Sequence, residues 1–183
     1  MNPRTFHPAA LVLLAAIAGA TLPAQAQMLD GATIAEDASI SRADARWMQQ
    51  VARAGATAVE AGRLAATQGQ REEIRAFGKT VIDEQGKANA ELNTIATRKR
   101  VLLTNKPDRA QAKMLAGLAP LKGAAFDHAY MRTAGEHDRI NNARLLETGT
   151  DKLQDPELRD YAGKTLAKVR RQYEMLRELR PMP

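Results

Sequence analysis

The fold is predicted most directly by residues 71–98, which read REEIRAFGKTVIDEQGKANAELNTIATR. Apolar side chains recur there at steps of three, four and seven residues, as they do on one face of an α-helix. Arg98 closes the stretch, at the end of a helix where the dipole favours a cation. We therefore expect a long amphipathic helix that buries one face, formed by Ile74, Phe77, Val81, Ala88, Leu92 and Ile95.

Three more long helices are expected, together with one short helix. The first long helix covers residues 44–67, the third covers residues 124–148, and a short helix at residues 108–118 lies in the link between the second and third. No segment alternates apolar and polar residues with a period of two, so no strand is expected. The sequence thus predicts an all-α protein, a four-helix bundle with a short extra helix in the crossover.

The ends of these helices carry recognisable signals. Asp44 is the expected N-cap of the first helix, and Gly149 is the expected C-terminal stop of the third. The fourth helix is expected to begin at Asp155, since an N-cap carboxylate is followed there by Pro156, and to end before Pro181.

Three polar residues interrupt the apolar faces of three different helices: Gln85, His137 and Gln172. If the helices form one bundle, these side chains meet in its core, where each polar group needs a hydrogen-bond partner. Amide and imidazole groups supply both donors and acceptors, so the three are expected to form a satisfied polar core layer. His137 belongs here to a predicted stripe of Phe126, Tyr130, Thr133, His137, Ile140, Asn141 and Leu145.

The N-terminal region has the composition of a secretory signal peptide. Arg4 precedes an apolar run at residues 9–20, and an Ala-x-Ala site ends at Ala26. We expect cleavage after Ala26, a flexible lead-in at residues 27–43, and a bundle domain at residues 44–180 of a periplasmic protein. The apolar run is too short to span a membrane, and no transmembrane segment is expected in the mature chain.

Composition narrows the possible partners and chemistry. The chain has a net charge of +6, which favours anionic envelope components, while its aromatic content of 4% and its predicted export disfavour nucleic acid. It contains no cysteine, so a disulfide framework and a thiolate nucleophile are excluded. No Gly-x-Ser-x-Gly turn is present either. A non-enzymatic role is favoured, and no catalytic residue or cofactor is assigned.

Several phrases resemble one protein family. Residues 59–65 read VEAGRLA, residues 81–89 read VIDEQGKAN, and residues 126–130 read FDHAY ahead of His137. Over residues 44–178 the chain resembles the ferritin-like domain-of-unknown-function family numbered 4142, found in exported proteins of Gram-negative bacteria. The resemblance implies a ferritin-like bundle and no established activity. Where that family usually carries histidines on its second and fourth helices, this chain has Gln85 and Gln172, which implies a degenerate metal site.

A working metal site is the alternative prediction. Ferritin-like di-iron sites use Glu-x-x-His pairs, and this sequence contains none. The remaining candidates to ligate iron, manganese or zinc are His137, Glu60, Glu84 and Glu136. The sequence therefore favours an envelope- or stress-associated binding or structural module over a metal-storage protein or oxidoreductase.

Overall fold

The structure, a computed structural model, describes residues 40–179. The predicted signal peptide, its cleavage site, most of the lead-in and Pro181 lie outside the described residues. Within residues 40–179 the secondary structure is helical, and the single β-bridge joins Gly69 and Gly123. This confirms the predicted all-α class.

Six α-helices and one π-helical segment make up the described chain. The π segment (Met131–His137) joins α4 to α5 without a break, so these three elements form one long rod. In chain order the α-helices are α1 (Arg42–Gln68), α2 (Glu72–Arg98), α3 (Arg109–Leu118), α4 (Gly123–Tyr130), α5 (Asp138–Lys152) and α6 (Pro156–Glu178). No helix in the described part of the chain is long and apolar enough to cross a membrane.

Helices α1 and α2 form a close antiparallel pair. Gly62 lies against Gly78 near the short turn, where a β-carbon on Gly62 would lie 3.0 Å from the Gly78 carbonyl oxygen. Gly55 lies against Asn89 farther along the pair. Each glycine lowers helix propensity by about 1 kcal/mol relative to alanine. The close contact of the two backbones requires glycine here, because a side chain would separate them.

Contacts of the long rod with α6 and α1 determine the relative directions of these helices. On the long rod, Gly135 lies against Leu176 of α6 and Thr150 lies near Gly163 of α6, so α5 and α6 are antiparallel. The long rod also runs antiparallel to α1, since its α4 end meets residues 69–71 and its α5 end meets Trp47. It follows that α2 and the long rod run in the same direction. The link between them must therefore return along the bundle, and it contains α3, as the predicted crossover requires.

Two helix ends differ from the prediction. The N-cap of α1 is Ser41, whose hydroxyl accepts a hydrogen bond from the Asp44 amide at 3.0 Å. Asp44 lies in the first turn and is 1% exposed; its carboxylate accepts from the amides of Gln154 and Asp155, the latter at 2.9 Å. A carboxylate in this position ties the start of α1 to the start of α6, which local sequence signals do not report.

Gly149 does not end its helix, because α5 continues to Lys152. Its lack of a side chain serves a tertiary contact instead. A β-carbon on Gly149 would lie 2.5 Å from Cζ2 of Trp47, whose indole nitrogen donates to the Leu145 carbonyl at 2.9 Å. The prediction of a C-terminal stop was wrong because a packing glycine and a capping glycine look alike in sequence.

The start of α6 agrees with its sequence signals. Asp155 caps the helix, accepting from the amides of Glu157 at 3.0 Å and Leu158 at 3.1 Å, with Pro156 in the first turn. Lys99, at the end of α2, donates to the same carboxylate at 2.5 Å. The end of α2 is thereby fixed to the beginning of α6.

The core consists of two apolar clusters toward opposite ends of the bundle. One cluster contains Trp47, Met48, Leu92, Ile95, Leu146, Leu158, Tyr161 and Val169, among others. The other contains Ile74, Phe77, Val81, Phe126, Tyr130 and Leu176, with several alanines of α1. The buried side chains of Gln85 and Gln172 lie at the level between the clusters.

Candidate functional site

The π segment changes which face of the long rod is buried. A π turn contains one more residue than an α turn, so the face presented to the core advances by one residue beyond it. The predicted stripe continued through His137, Ile140, Asn141 and Leu145. The buried positions after the turn are instead Arg139, Asn142, Leu146 and Gly149. The prediction for the second half of this rod was therefore displaced by one residue.

His137 consequently lies outside the core, and its predicted place in the polar layer is wrong. Its side chain is exposed at the end of the π segment, where it lines a surface groove. Gln85 and Gln172 are both buried, at 4% and 1% exposure. The structure therefore brings two of the three predicted layer residues into the core and replaces the third.

The replacement is Arg139, which is 1% exposed. Contacts on either side, Gly135 with Leu176 and Thr150 with Gly163, place Arg139 opposite Gln172 in the antiparallel pair. We call Gln85, Gln172 and Arg139 the central polar layer. A guanidinium stays protonated in proteins, so this layer carries a permanent positive charge.

Hydrogen bonding in the central polar layer is incomplete. Gln85 donates to the Asn89 side chain at 3.2 Å, and Gln172 donates to Glu84 at 2.8 Å. Glu84 also pairs with Arg171 at the surface. The Gln172 carbonyl oxygen and the three guanidinium nitrogens of Arg139 are buried without hydrogen-bond partners among the described residues. The charge of Arg139 acts on Asp138 and Tyr130, but burial of a guanidinium without hydrogen-bond partners is costly, so Arg139 weakens the layer as a source of stability.

Tyr130 faces the same guanidinium. Burial raises the pKa of the Tyr130 hydroxyl to about 12, and the nearby Arg139 charge opposes that increase only in part. The hydroxyl therefore stays protonated at any physiological pH. It is a neutral neighbour of Arg139 and supplies no counter-charge.

The other metal-ligand candidates do not converge. Glu60 is exposed and pairs with Arg63 at 3.0 Å, and half-buried Glu84 bonds to α6. Glu136 lines a second cavity of about 460 Å³ near His128. Across residues 40–179 no three His, Asp or Glu side chains are grouped so that they can hold a metal ion.

One cavity among the described residues is a groove of about 750 Å³, which we call the main groove. Its walls come from α1, the start of α3, the π segment and α5. The residues that carry its charge and shape are Arg53, Asp108, Met114, Arg132, His137 and Asp138. π turns are frequent at functional sites, and this one turns Arg132 and His137 toward the groove.

Asp138 is an acid of the main groove whose pKa is raised. Burial raises the pKa of its carboxyl, the charges of Arg139 and His137 oppose the increase, and Asp108 adds to it. Its Oδ2 atom is buried and accepts no hydrogen bond among the described residues. The groove thus has a poorly solvated carboxyl group beside an exposed imidazole.

Sequence reasoning missed Arg139, Asp138 and Arg53. Arginine and aspartate on a polar stretch of helix usually face solvent, so their residue types gave no reason to place them inward. The one available signal was the poor fit of His137 and Asn141 to an apolar face. Two successive polar residues at predicted core positions indicate that the assumed period is wrong.

Comparison with known proteins gives one family. No curated protein and no solved structure matches this chain significantly. The sequence profile of a domain of unknown function, DUF4142, matches residues 29–179. That match covers the whole described bundle, and the chain belongs to the DUF4142 family.

Proposed function

We propose that this protein is exported to the periplasm and acts there as a non-enzymatic, envelope- or stress-associated binding module. Its bundle is proposed to be ferritin-like, with a degenerate metal site. The direction of the helices supports this, because α2 and the long rod are parallel and are joined by a long crossover, as in ferritin-like bundles.

The observation that carries the proposal is the composition of the central polar layer. Di-iron bundles place carboxylates and imidazoles at this level, where they neutralise and coordinate cations. Here the level is filled by Gln85, Gln172 and the guanidinium of Arg139. A guanidinium has no lone pair to donate to a metal, and its charge repels a cation. The layer is therefore unsuited to redox metal chemistry.

Metal analysis tests this reading. Protein purified without chelator is expected to contain far less than one iron, manganese or zinc per chain. Stoichiometric metal that disappears in His137→Ala, but persists in the control His128→Ala, would establish the metal-binding alternative. Both histidines are exposed on the long rod, so the pair controls for weak surface binding by imidazole.

Export is tested separately, by cell fractionation and N-terminal sequencing. The mature protein is expected in the periplasmic fraction with Gln27 as its first residue. A product that keeps Met1 or stays in the cytoplasm would refute the proposed location.

Anionic envelope components are the proposed partners on the basis of the net charge of +6. Retention on immobilised lipopolysaccharide or peptidoglycan should weaken as salt rises, because salt screens such contacts. Retention that is independent of salt would contradict this part of the proposal.

A further inference from the structure

The main groove has the dimensions of a small-molecule site. Pockets that bind small molecules usually enclose about 300–1,000 Å³ and combine an apolar lining with a few polar groups. The main groove encloses about 750 Å³, and Ala54, Met114 and Leu145 give it an apolar lining. Its walls come from four separate elements, so the shape depends on the packed bundle and is absent from any single helix.

One part of the groove is acidic. Asp138 begins α5, and Asp108 caps α3; Asp108 accepts from the Gln111 amide at 2.9 Å. The two carboxyls are close enough for the charge of Asp108 to act on Asp138. Asp138 has no ion pair among the described residues, and its buried Oδ2 lacks a donor. The charges of Arg139 and His137 act on this carboxyl, but no described side chain donates a hydrogen bond to its Oδ2.

The groove also contains arginines without acidic partners. Arg53 of α1 and Arg132 of the π segment line it, and neither forms a salt bridge within residues 40–179. The Nε atom of Arg53 is buried without an acceptor. The charges that act on Asp138 are those of Arg139, His137 and Asp108, so Arg53 does not neutralise it. The groove therefore presents two arginines outside any salt bridge of the described residues and a carboxylate with an acceptor atom that receives no hydrogen bond.

We propose, building on the binding role above, that the main groove binds a small zwitterion with an apolar body, of the α-amino-acid class. The ammonium group pairs with Asp138, the carboxylate pairs with Arg53 and Arg132, and the apolar side chain covers Met114 and Leu145. Charge-assisted hydrogen bonds at both ends give such a ligand an advantage over one that carries a single charge. His137 also lines the acidic part of the groove, and its exposed imidazole lies next to Asp138.

Isothermal titration calorimetry of the mature protein tests this with three ligands of nearly equal shape. L-leucine carries both charges, N-acetyl-L-leucine carries only the carboxylate, and L-leucinamide carries only the ammonium. Leucine is expected to bind, and each single-charge analogue is expected to bind about tenfold more weakly or worse. Leucylleucine distinguishes the source of the ligand: tighter binding than leucine assigns the site to peptides, and weaker binding assigns it to free amino acids.

Substitutions test whether Asp138 binds the ammonium group and Arg53 binds the carboxylate. Asp138→Asn should weaken leucine binding about tenfold and leave N-acetyl-leucine unchanged, whereas Arg53→Gln should weaken both. Asp160→Asn is the matched control, because Asp160 is an exposed α6 carboxylate paired with Lys164 and remote from the groove. Circular dichroism of each variant verifies that the bundle is intact.

Three results would overturn the proposal. Equal binding of leucine and N-acetyl-leucine would make the groove an anion site, and equal binding of leucine and leucinamide would make it a cation site. Binding of none of the ligands would remove the amino-acid assignment. None of these results bears on export or metal content. The proposed function is tested separately, by cell fractionation and metal analysis.

Discussion

Helix α2 and the long rod formed by α4, the π segment and α5 both pack along the bundle, but they differ in how regularly their buried residues are spaced. Over its 27 residues α2 keeps one face inward, with Ile74, Phe77, Val81, Gln85, Ala88, Leu92 and Ile95 buried. The long rod changes face at Met131–His137. Its first half buries Phe126 and Tyr130 as a regular helix would, and its second half buries residues one position later.

This difference has a consequence for chemistry. In α2 the inward residues follow regular helical spacing, and all of those named except Gln85 are apolar and pack in the core. In the long rod the π turn directs Arg139 into the core and leaves His137 and Arg132 at the main groove. One extra residue in a turn thus removes an imidazole from the bundle centre and adds a guanidinium to it.

Single-residue deletions should have the largest effects and should affect the two helices differently. Deleting exposed Lys87 from α2 rotates Ala88, Leu92 and Ile95 by about 100° away from the core. The loss of their burial should cost more than about 5 kcal/mol, enough to unfold many domains. Deleting exposed Arg132 should instead convert the π turn to an α turn and keep both buried faces inward, for a change within about 2 kcal/mol.

Urea unfolding monitored by circular dichroism measures both deletions. A folded Lys87 deletion, or an Arg132 deletion that unfolds, would show that the π turn is not a simple one-residue insertion.

Alanine substitutions distinguish the buried faces of the two regions at single positions. Leu146→Ala should cost about 2–5 kcal/mol, as should Leu92→Ala in α2, since both leucines are fully buried. Leu145→Ala should cost about 1 kcal/mol or less, because Leu145 is only partly buried. Thermal or chemical unfolding of the three variants gives the ranking. The reverse order for Leu145 and Leu146 would restore the unshifted helical face.

Removal of the core charge should have a smaller effect of opposite sign. Arg139→Met is expected to raise stability by about 1–3 kcal/mol, because a buried guanidinium without hydrogen-bond partners is replaced by an apolar side chain of similar length. Arg144→Met, on the exposed face of α5, is the control and should change stability by less than about 0.5 kcal/mol. A marked loss of stability in Arg139→Met alone would mean that the guanidinium is paired in solution.

The smallest effect is expected at the junction of α2 and α6, and it depends on pH. Burial tends to raise the pKa of Asp155, but hydrogen bonds from Lys99 and from the Leu158 and Glu157 amides outweigh burial and lower the pKa. A carboxyl with a lowered pKa stabilises the fold above its unfolded pKa of about 3.9 and loses that contribution as pH falls through the folded value.

Asp155→Asn should therefore cost about 1 kcal/mol at pH 7, because asparagine preserves the cap but removes the charge. The difference from wild type should shrink below pH 4. Unfolding curves at pH 7 and pH 3 check this. A difference of equal size at both values would mean that the cap geometry, and not the Lys99 pair, is what matters.

Much of the fold was accessible from the sequence, for identifiable reasons. Ile74, Phe77 and Leu92 are buried as their spacing predicts, and the start of α6 at Asp155-Pro156 follows from local capping chemistry. These features depend on interactions within a few residues. The candidate site was less accessible, because Arg53, Asp108 and Asp138 lie on different elements and come together only when the crossover packs against α1 and the long rod.

Residue spacing predicts the helical class, the periodicity of α2 and the inward positions of Gln85 and Gln172, which lie on regular helices. Helical periodicity is a local property that follows from residue spacing. Tertiary packing determines the face of the long rod beyond Tyr130, the inward position of Arg139 and the composition of the main groove. A π turn is rare in helices, so residue spacing does not predict it, and the packing of the long rod against α1 and α6 determines which face is buried.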